Sequence, residues 1–153
     1  EVPEVRLIIA GKPWTDWAPY QARIDELNLA ERLDLHLDYI PTEKVPVFFA
    51  SADVVVVPYT HFNAQSAVAA QSISFKRPTI VSDVGGLPEC VDNDPNWIVP
   101  PSDPDALAAR LIEFFRHEES QSAAFNELAQ RVLDKFSWPR IAERHLQIYT
   151  EAE

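Results

Sequence analysis

VVVVPYTHFNAQSAVAAQSISFKRPTIVSDVGGLPE, residues 54–89, decides the fold of this chain. Its first four residues, Val54, Val55, Val56 and Val57, are a run short enough for a strand and too uniformly apolar for a half-exposed one. The pattern predicts a strand buried on both faces of a parallel sheet, and Pro58 stops it. A polar loop over residues 59–65 leads to a helix opening at Ser66. Its small side chains (Ala67, Ala69, Ala70, Ser72, Ser74) let the helix backbone approach a sheet closely. Lys76, Arg77 and Pro78 close that helix, residues 79–81 supply the next strand, and residues 83–86 the loop after it. The unit reads strand, loop, helix, strand, loop, a crossover that sets both loops at the carboxyl ends of parallel strands. Ligands of open α/β sheets bind at those ends.

Around this stretch, 153 residues are enough for one domain with a substantial core, and 46% apolar with 24% charged is globular composition. The formal charge of −11 disfavours nucleic acid or an anionic membrane as a partner, because either needs a dense cationic patch and the 13 Lys and Arg are scattered. A lone cysteine, Cys90, excludes an internal disulfide and fits a reducing, cytoplasmic setting. No stretch approaches the length of a membrane span, and no amino-terminal targeting segment is visible. Lacking methionine and opening almost directly on a strand, the sequence reads as a fragment of a longer protein.

Taken in order, residues 5–10 (VRLIIA) predict a buried strand turned at its end by Gly11. A loop with Lys12, Pro13, Trp14 and Trp17 leads to a helix over residues 18–29, with Pro19 in its first turn. Trp14 and Trp17 read as packing residues before they read as a sugar platform. Leu33, Leu35 and Leu37 alternate with Asp34, His36 and Asp38, the pattern of a strand with one wetter face. Residues 39–43 form the following loop, and residues 43–50 a short helix that Pro46 confines to a first turn or bends. Beyond the central unit come a short helix at 87–91, a turn at 92–96 and a brief strand at 97–99. Asp103 followed by Pro104 starts a helix with its cap and first residue in place. Leu107, Leu111, Phe114 and Phe115 mark that helix's buried stripe, and Phe125, Leu128, Val132 and Leu133 that of the next. Ser137 caps a last helix bearing Ile141, Leu146, Ile148 and Tyr149. Strands alternating with helices give an α/β fold, an open doubly wound parallel sheet finished by carboxyl-terminal helices.

Several chemistries are excluded or disfavoured. Gly11, Gly85 and Gly86 are the only glycines, so neither GxGxxG nor GxxxxGK[ST] exists. His36, His61, His117 and His145 lie far apart with no companion ligands, against a metal site. Asp92, Asn93 and Asp94 read as a polar turn beside a proline. No nucleophile is announced: Ser66 lacks a GxSxG elbow, and Cys90 has no base near it in sequence.

In order and spacing, the segments PEVRLIIAGK, LDYIPTEKVPVFFASADVVVVPY, RPTIVSDVGGLPE, IVPPSDPDALAARL and KFSWPRIAERHLQIY span nearly the whole chain. Together they resemble the donor-binding, carboxyl-terminal half of the retaining glycosyltransferases of family 4, which have the GT-B architecture of two Rossmann-like domains. The resemblance implies that residues 1–153 are one Rossmann-like donor domain of a longer two-domain protein. Its activity would be transfer of a sugar from a nucleotide diphosphate donor, UDP- or GDP-linked, to a hydroxyl acceptor with retained configuration. It implies no metal and no cofactor beyond that donor, and a separate acceptor-binding domain as partner. The isolated chain would be inert.

The family's characteristic pair of glutamates falls here on Asn63 and Gln71, with Ala64, Gln65, Ser66 and Ala67 in the intervening loop. In the family the first glutamate lies beside the donor sugar, the second accepts from the ribose hydroxyls, and loop amides face the diphosphate. Asn63 therefore supplies no acid, base or charge. Gln71 still accepts from a ribose hydroxyl, but a neutral hydrogen bond contributes about 0.5–1.5 kcal/mol where a charged one contributes about 1.5–3, a loss of about tenfold in affinity. The resemblance further sets Ile40 and Thr42 along the nucleotide base and Gly11 and Lys12 on the same cleft; for Lys12 a solvated surface lysine is the equal alternative. Asp83, Gly85, Gly86 and Glu89 would shape the cleft floor, the glycine pair being read first as a turn needing positive φ. The family's diphosphate-binding Arg and Lys precede Val2 and are absent. The missing glutamates also support a rival expectation, a catalytically degenerate domain that serves as a protein interaction or scaffold module.

Overall fold

The computed structural model describes residues 5–151, so Pro3 and Glu4 of the first quoted segment lie outside it. The chain divides into two compact units, Glu1–Ala52 and Asp53–Glu153. Both are α/β, with parallel strands flanked by helices.

In the first unit β1 (Leu7–Ala10) pairs in parallel with β2 (Leu33–His36), Leu7 opposite Leu33 and Ala10 opposite His36. The predicted alternation holds along β2: Leu33 and Leu35 are half-buried, Asp34 and His36 exposed. Between the strands, α1 (Ala18–Glu26) carries Pro19 in its first turn. It ends before the expected Leu29 because Asn28 takes φ 53°, a left-handed value that a helix does not continue through. Trp17 stacks on Tyr20 at 5.3 Å, whereas Trp14 is fully exposed and packs on nothing among the described residues, contrary to the packing role expected of it. After β2 a 3₁₀ turn, Thr42–Lys44, runs into α2 (Val45–Ser51), with Pro46 in the first turn where its missing N–H costs nothing.

In the second unit β3 (Val55–Val57), β4 (Thr79–Ser82) and β5 (Ile98–Val99) form a parallel ladder in that order. The valine run is not its most buried strand. Val57 is buried, but Val54, Val55 and Val56 are half-buried, because β3 has a hydrogen-bonded neighbour on one side only among the described residues. The central β4 is the strand buried along its whole length, although two of its four residues are hydroxylic. Thr79 is accommodated there by pairing: its Oγ1 lies 2.6 Å from Ser72 Oγ on α3 (Ala67–Ser74) and 2.7 Å from the Arg77 carbonyl. Ser72 Oγ also reaches the Ala69 carbonyl at 3.0 Å. Small residues at 69 and 72 are thus the surface by which α3 meets the sheet, as their spacing predicts.

The short α4 (Leu87–Cys90) and a 3₁₀ turn, Pro95–Trp97, connect β4 to β5. Trp97, expected in the strand, closes this turn instead, with Asp94 Oδ1 accepting from the Asn96 amide at 2.9 Å. The Trp97 ring meets Phe125 and Phe114 edge-on at 4.7 and 6.4 Å, and the Arg110 guanidinium lies 4.7 Å above it. This cluster ties α5 (Pro104–Arg116) and α6 (Glu118–Lys135) to the ladder. Asp103 caps α5 as expected, its Oδ1 accepting from Ala106 N at 2.9 Å. Before α7 (Trp138–Glu151), the Ser137 carbonyl accepts from the Ile141 amide at 3.0 Å, while its hydroxyl turns back to donate to the Asp134 carbonyl at 2.9 Å. Arg140, Glu143, Arg144 and Gln147 line a cleft shared with Arg131, Asp134 and Lys135, and Trp138, Leu146, Ile148 and Tyr149 are exposed. No helix among the described residues is long and apolar enough to cross a membrane.

The buried hydroxyl pair makes a measurable claim. Thr79→Val lowers stability in urea unfolding by about 1–3 kcal/mol. Combining it with Ser72→Ala costs less than the sum of the two single changes, since the second removes a group the first has left short of a partner.

Candidate functional site

The carboxyl ends of β3, β4 and β5 carry the loops where parallel sheets hold ligands. After β3, residues 58–65 run out to Ser66, which takes an extended conformation (φ −83°, ψ 121°) and caps α3. The Ala69 N–H donates to Ser66 Oγ at 3.3 Å, and the Ala70 N–H to the Ser66 carbonyl at 2.9 Å. That leaves the Ala67 and Val68 amides without an intrahelical acceptor at the positive end of the helix dipole. Ser66 is buried, 3% exposed, while Ala67 and Val68 are exposed. Two open amides at a helix start, beside a fixed hydroxyl, suit an anionic oxygen.

The loop before this helix is held from below by the turn after β4. Gly85 has φ +52°, and a Cβ there would lie 2.1 Å from the Phe62 carbonyl oxygen. Glycine is needed at 85 for both reasons: the left-handed conformation and the close approach of another backbone. Gly86 is different, with a negative φ and a Cβ position 3.4 Å from Gln65 Cγ. The Phe62 ring packs on Tyr59 at 5.0 Å, and the Asp83 N–H donates to the Val99 carbonyl at 2.9 Å, so both loops are anchored at their strand ends. Asp83 and Glu89 are exposed. Sequence reading gave the glycine pair a turn; the contact with Phe62, remote along the chain, carried no local signal.

Cys90 closes α4 with its thiol 3.7 Å from the Gly86 carbonyl. Burial pushes the thiol above its ordinary pKa and the Glu89 charge pushes the same way, while a hydrogen bond with the Ser66 backbone pulls back. The thiol is therefore kept protonated and is a poor nucleophile.

The residues singled out in sequence fall into two sets. Asn63, Ala64, Gln65, Ser66, Ala67 and Gln71 are one continuous feature of the second unit, the loop and first turns of α3, with Asn63 and Gln71 both exposed. Gly11, Lys12, Ile40 and Thr42 belong to the first unit, at the carboxyl end of its own ladder. Gly11, at φ 139°, donates to the His36 carbonyl at 2.9 Å, so the turn after β1 is tied to the last residue of β2. Lys12 is exposed, Ile40 half-buried, and Thr42 opens the 3₁₀ turn. Among the described residues no group of three or more His, Cys, Asp or Glu side chains is placed to hold a metal ion.

A family model described as glycosyl transferases group 1 matches residues 1–117. A glycogen synthase from Mycobacterium tuberculosis is 29% identical over 153 residues, covering 99% of this chain and 36% of that protein. The chain spans about a third of the length of such curated relatives. Among solved structures, sucrose-phosphate synthase from Thermosynechococcus elongatus superposes with a TM-score of 0.76 at 25% identity, over 99% of this chain and 39% of that one. The Anabaena protein HepE, solved in complex with UDP, shares the fold with a TM-score of 0.80 at 19% identity, over 97% of this chain and 42% of that one.

Two outcomes check the geometry. Gly85→Ala lowers stability by more than the roughly 1–2 kcal/mol of a left-handed L-residue, because its methyl also overlaps the Phe62 carbonyl, whereas Gly86→Ala is tolerated. In an alkylation profile, Cys90 reacts more slowly than free cysteine at mildly alkaline pH. Its rate keeps rising above the pH at which free cysteine levels off, the direction set by a raised pKa.

Proposed function

Because the chain belongs to the group 1 glycosyl transferases, we propose that it is the donor-binding part of a retaining family 4 enzyme moving a sugar from a nucleotide diphosphate to a hydroxyl acceptor. In this reading residues 1–153 are one donor domain of a longer, cytoplasmic protein, and the acceptor is held by a second domain. The observation that carries it is the start of α3, where the Ala67 and Val68 amides lie open beyond the end of β3 next to the capping Ser66.

The chemistry asked of this feature is electrostatic. As the bond between sugar and diphosphate breaks, negative charge builds on the leaving phosphate oxygens, and preoriented amides at a helix terminus stabilise it without reorganising. Ser66 fixes the first turn, and the Gly85 turn holds the preceding loop at its height, so the amides are aimed before the ligand arrives. Gln71 accepts from a ribose hydroxyl through its amide oxygen. Asn63 lies toward the sugar as a neutral hydrogen-bonding group and contributes no proton transfer. Gly11, Lys12, Ile40 and Thr42 of the first unit are proposed for the nucleoside, backbone groups of residues 40–42 reading the base edge. That the HepE structure, alike in fold, holds UDP makes UDP the first nucleotide to test.

Titrating the labelled chain with UDP, GDP and ADP while following backbone amide resonances tests this. Shifts confined to residues 40–42 and 63–71 support the donor site. Silence with all three supports the scaffold reading that the missing carboxylates favour. Gln71→Glu restores a charged acceptor for the ribose, so UDP binding by that variant tightens by about tenfold; an unchanged or weaker affinity removes Gln71 from the site.

A further inference from the structure

Register across the second ladder places a row of side chains on one face. Val57 pairs with Val81 and Ser82 with Val99, so Pro58, Ser82 and Val99 follow one another across the carboxyl ends of β3, β4 and β5. Thr79 faces α3 through its contact with Ser72, and side chains alternate along a strand, so Ser82 points to the opposite face from α3. On that face Pro58, Ser82 and Val99 line an open cavity of about 330 Å³, together with Thr60, Ser102, Asp103 and Leu107 among others. It is built apart from the start of α3 and uses none of the residues assigned to the donor.

Ser82 is the group that marks it as more than a surface dent. The residue is 2% exposed, yet its hydroxyl makes no hydrogen bond among the described residues. A hydroxyl with no partner in its own chain keeps its full capacity to donate to and accept from a ligand. It is not sealed in, since Arg77 Nε is the one fully enclosed side-chain nitrogen or oxygen left unpaired among the described residues. Ser82 therefore presents its hydroxyl to the cavity. Asp103 is half committed: Oδ1 caps α5 through the Ala106 amide at 2.9 Å, and Oδ2 makes no hydrogen bond among the described residues. The Thr60 and Ser102 hydroxyls, both on exposed residues, are likewise without partners among the described residues.

The chemistry of the lining selects the ligand. An anion is disfavoured because the amino terminus of α5 is already occupied by the Asp103 carboxylate. A bare cation would find one carboxylate and no further charge. A neutral ligand carrying several hydroxyls satisfies Asp103 Oδ2 as donor and Ser82 as donor or acceptor, while Val99, Leu107 and Pro58 meet its C–H surface. The volume is at the small end of the range for ligand sites. We propose that this cavity binds one neutral sugar residue, with Ser82 and Asp103 as its anchoring groups, as a second saccharide site separate from the donor nucleotide. The choice of a saccharide rests on the glycosyltransferase reading above; the cavity and its unpaired hydroxyl do not.

The test is an amide titration of the full chain with glucose, mannose and maltose to high millimolar concentration, with UDP run separately. Sugar moves the resonances of Ser82, Val99, Ser102 and Asp103, and UDP does not. Ser82→Ala leaves the melting temperature unchanged, having removed an unpaired group, and weakens sugar binding about fivefold. Asp103→Asn keeps the cap, since asparagine caps as well as aspartate, and weakens it also. Sugar shifts at these positions with UDP silent uphold this site while the donor reading fails. No sugar-induced shift there, or shifts that Ser82→Ala leaves intact, overturn it.

Discussion

The hydroxyls of Ser72 and Thr79, 2.6 Å apart and shut away from water, fix how α3 lies on the central strand. Such a contact is geometrically strict: a slip of one residue along β4 would exchange its faces and leave both hydroxyls buried without each other. With Thr79 turned toward α3, Ser82 is turned away from it. One pairing thereby sets the position of the capped helix start at Ser66 on one side of the ladder and the cavity over Ser82 on the other. Both lie at the carboxyl ends of the strands.

The proposed donor site asks a chain of net charge −11 to receive a diphosphate. In that proposal binding rests on short-range groups in fixed directions, the open amides of Ala67 and Val68 with the neutral side chains of Asn63 and Gln71. Fixed direction in turn needs a rigid support, and the Gly85 turn under the Phe62 carbonyl supplies it without a side chain. The Cys90 thiol packed below stays protonated and adds no charge to the site.

What the sequence disclosed were the features written in neighbouring residues. Ser66 before a run of small residues and Asp103 before Pro104 announced their helix starts, and the alternation of Leu33, Asp34, Leu35 and His36 announced a strand with one wet face. The valine run misled because burial in a sheet depends on having neighbours on both sides. Val55 and Val56 remain half-covered, while Thr79 and Ser82, poorer in apolar character, occupy the central strand. Trp97 was read into β5 because an aromatic beside Ile98 looks like strand, whereas Asp94 and Pro95 had already committed it to a 3₁₀ turn. Gly85 against Phe62 and the row of Pro58, Ser82 and Val99 were out of reach, since each exists only once the register of separate strands is set. Ser82 in particular offers nothing by itself in sequence.

A crystal structure of the chain grown with UDP tests the central claim most directly. The pyrophosphate is expected within hydrogen-bonding distance of the Ala67 and Val68 amides, with the Ser66 hydroxyl still bonded to the Ala69 amide. UDP seated elsewhere on the chain, with the start of α3 covered by its own side chains, would contradict the assignment of that helix terminus as the phosphate site.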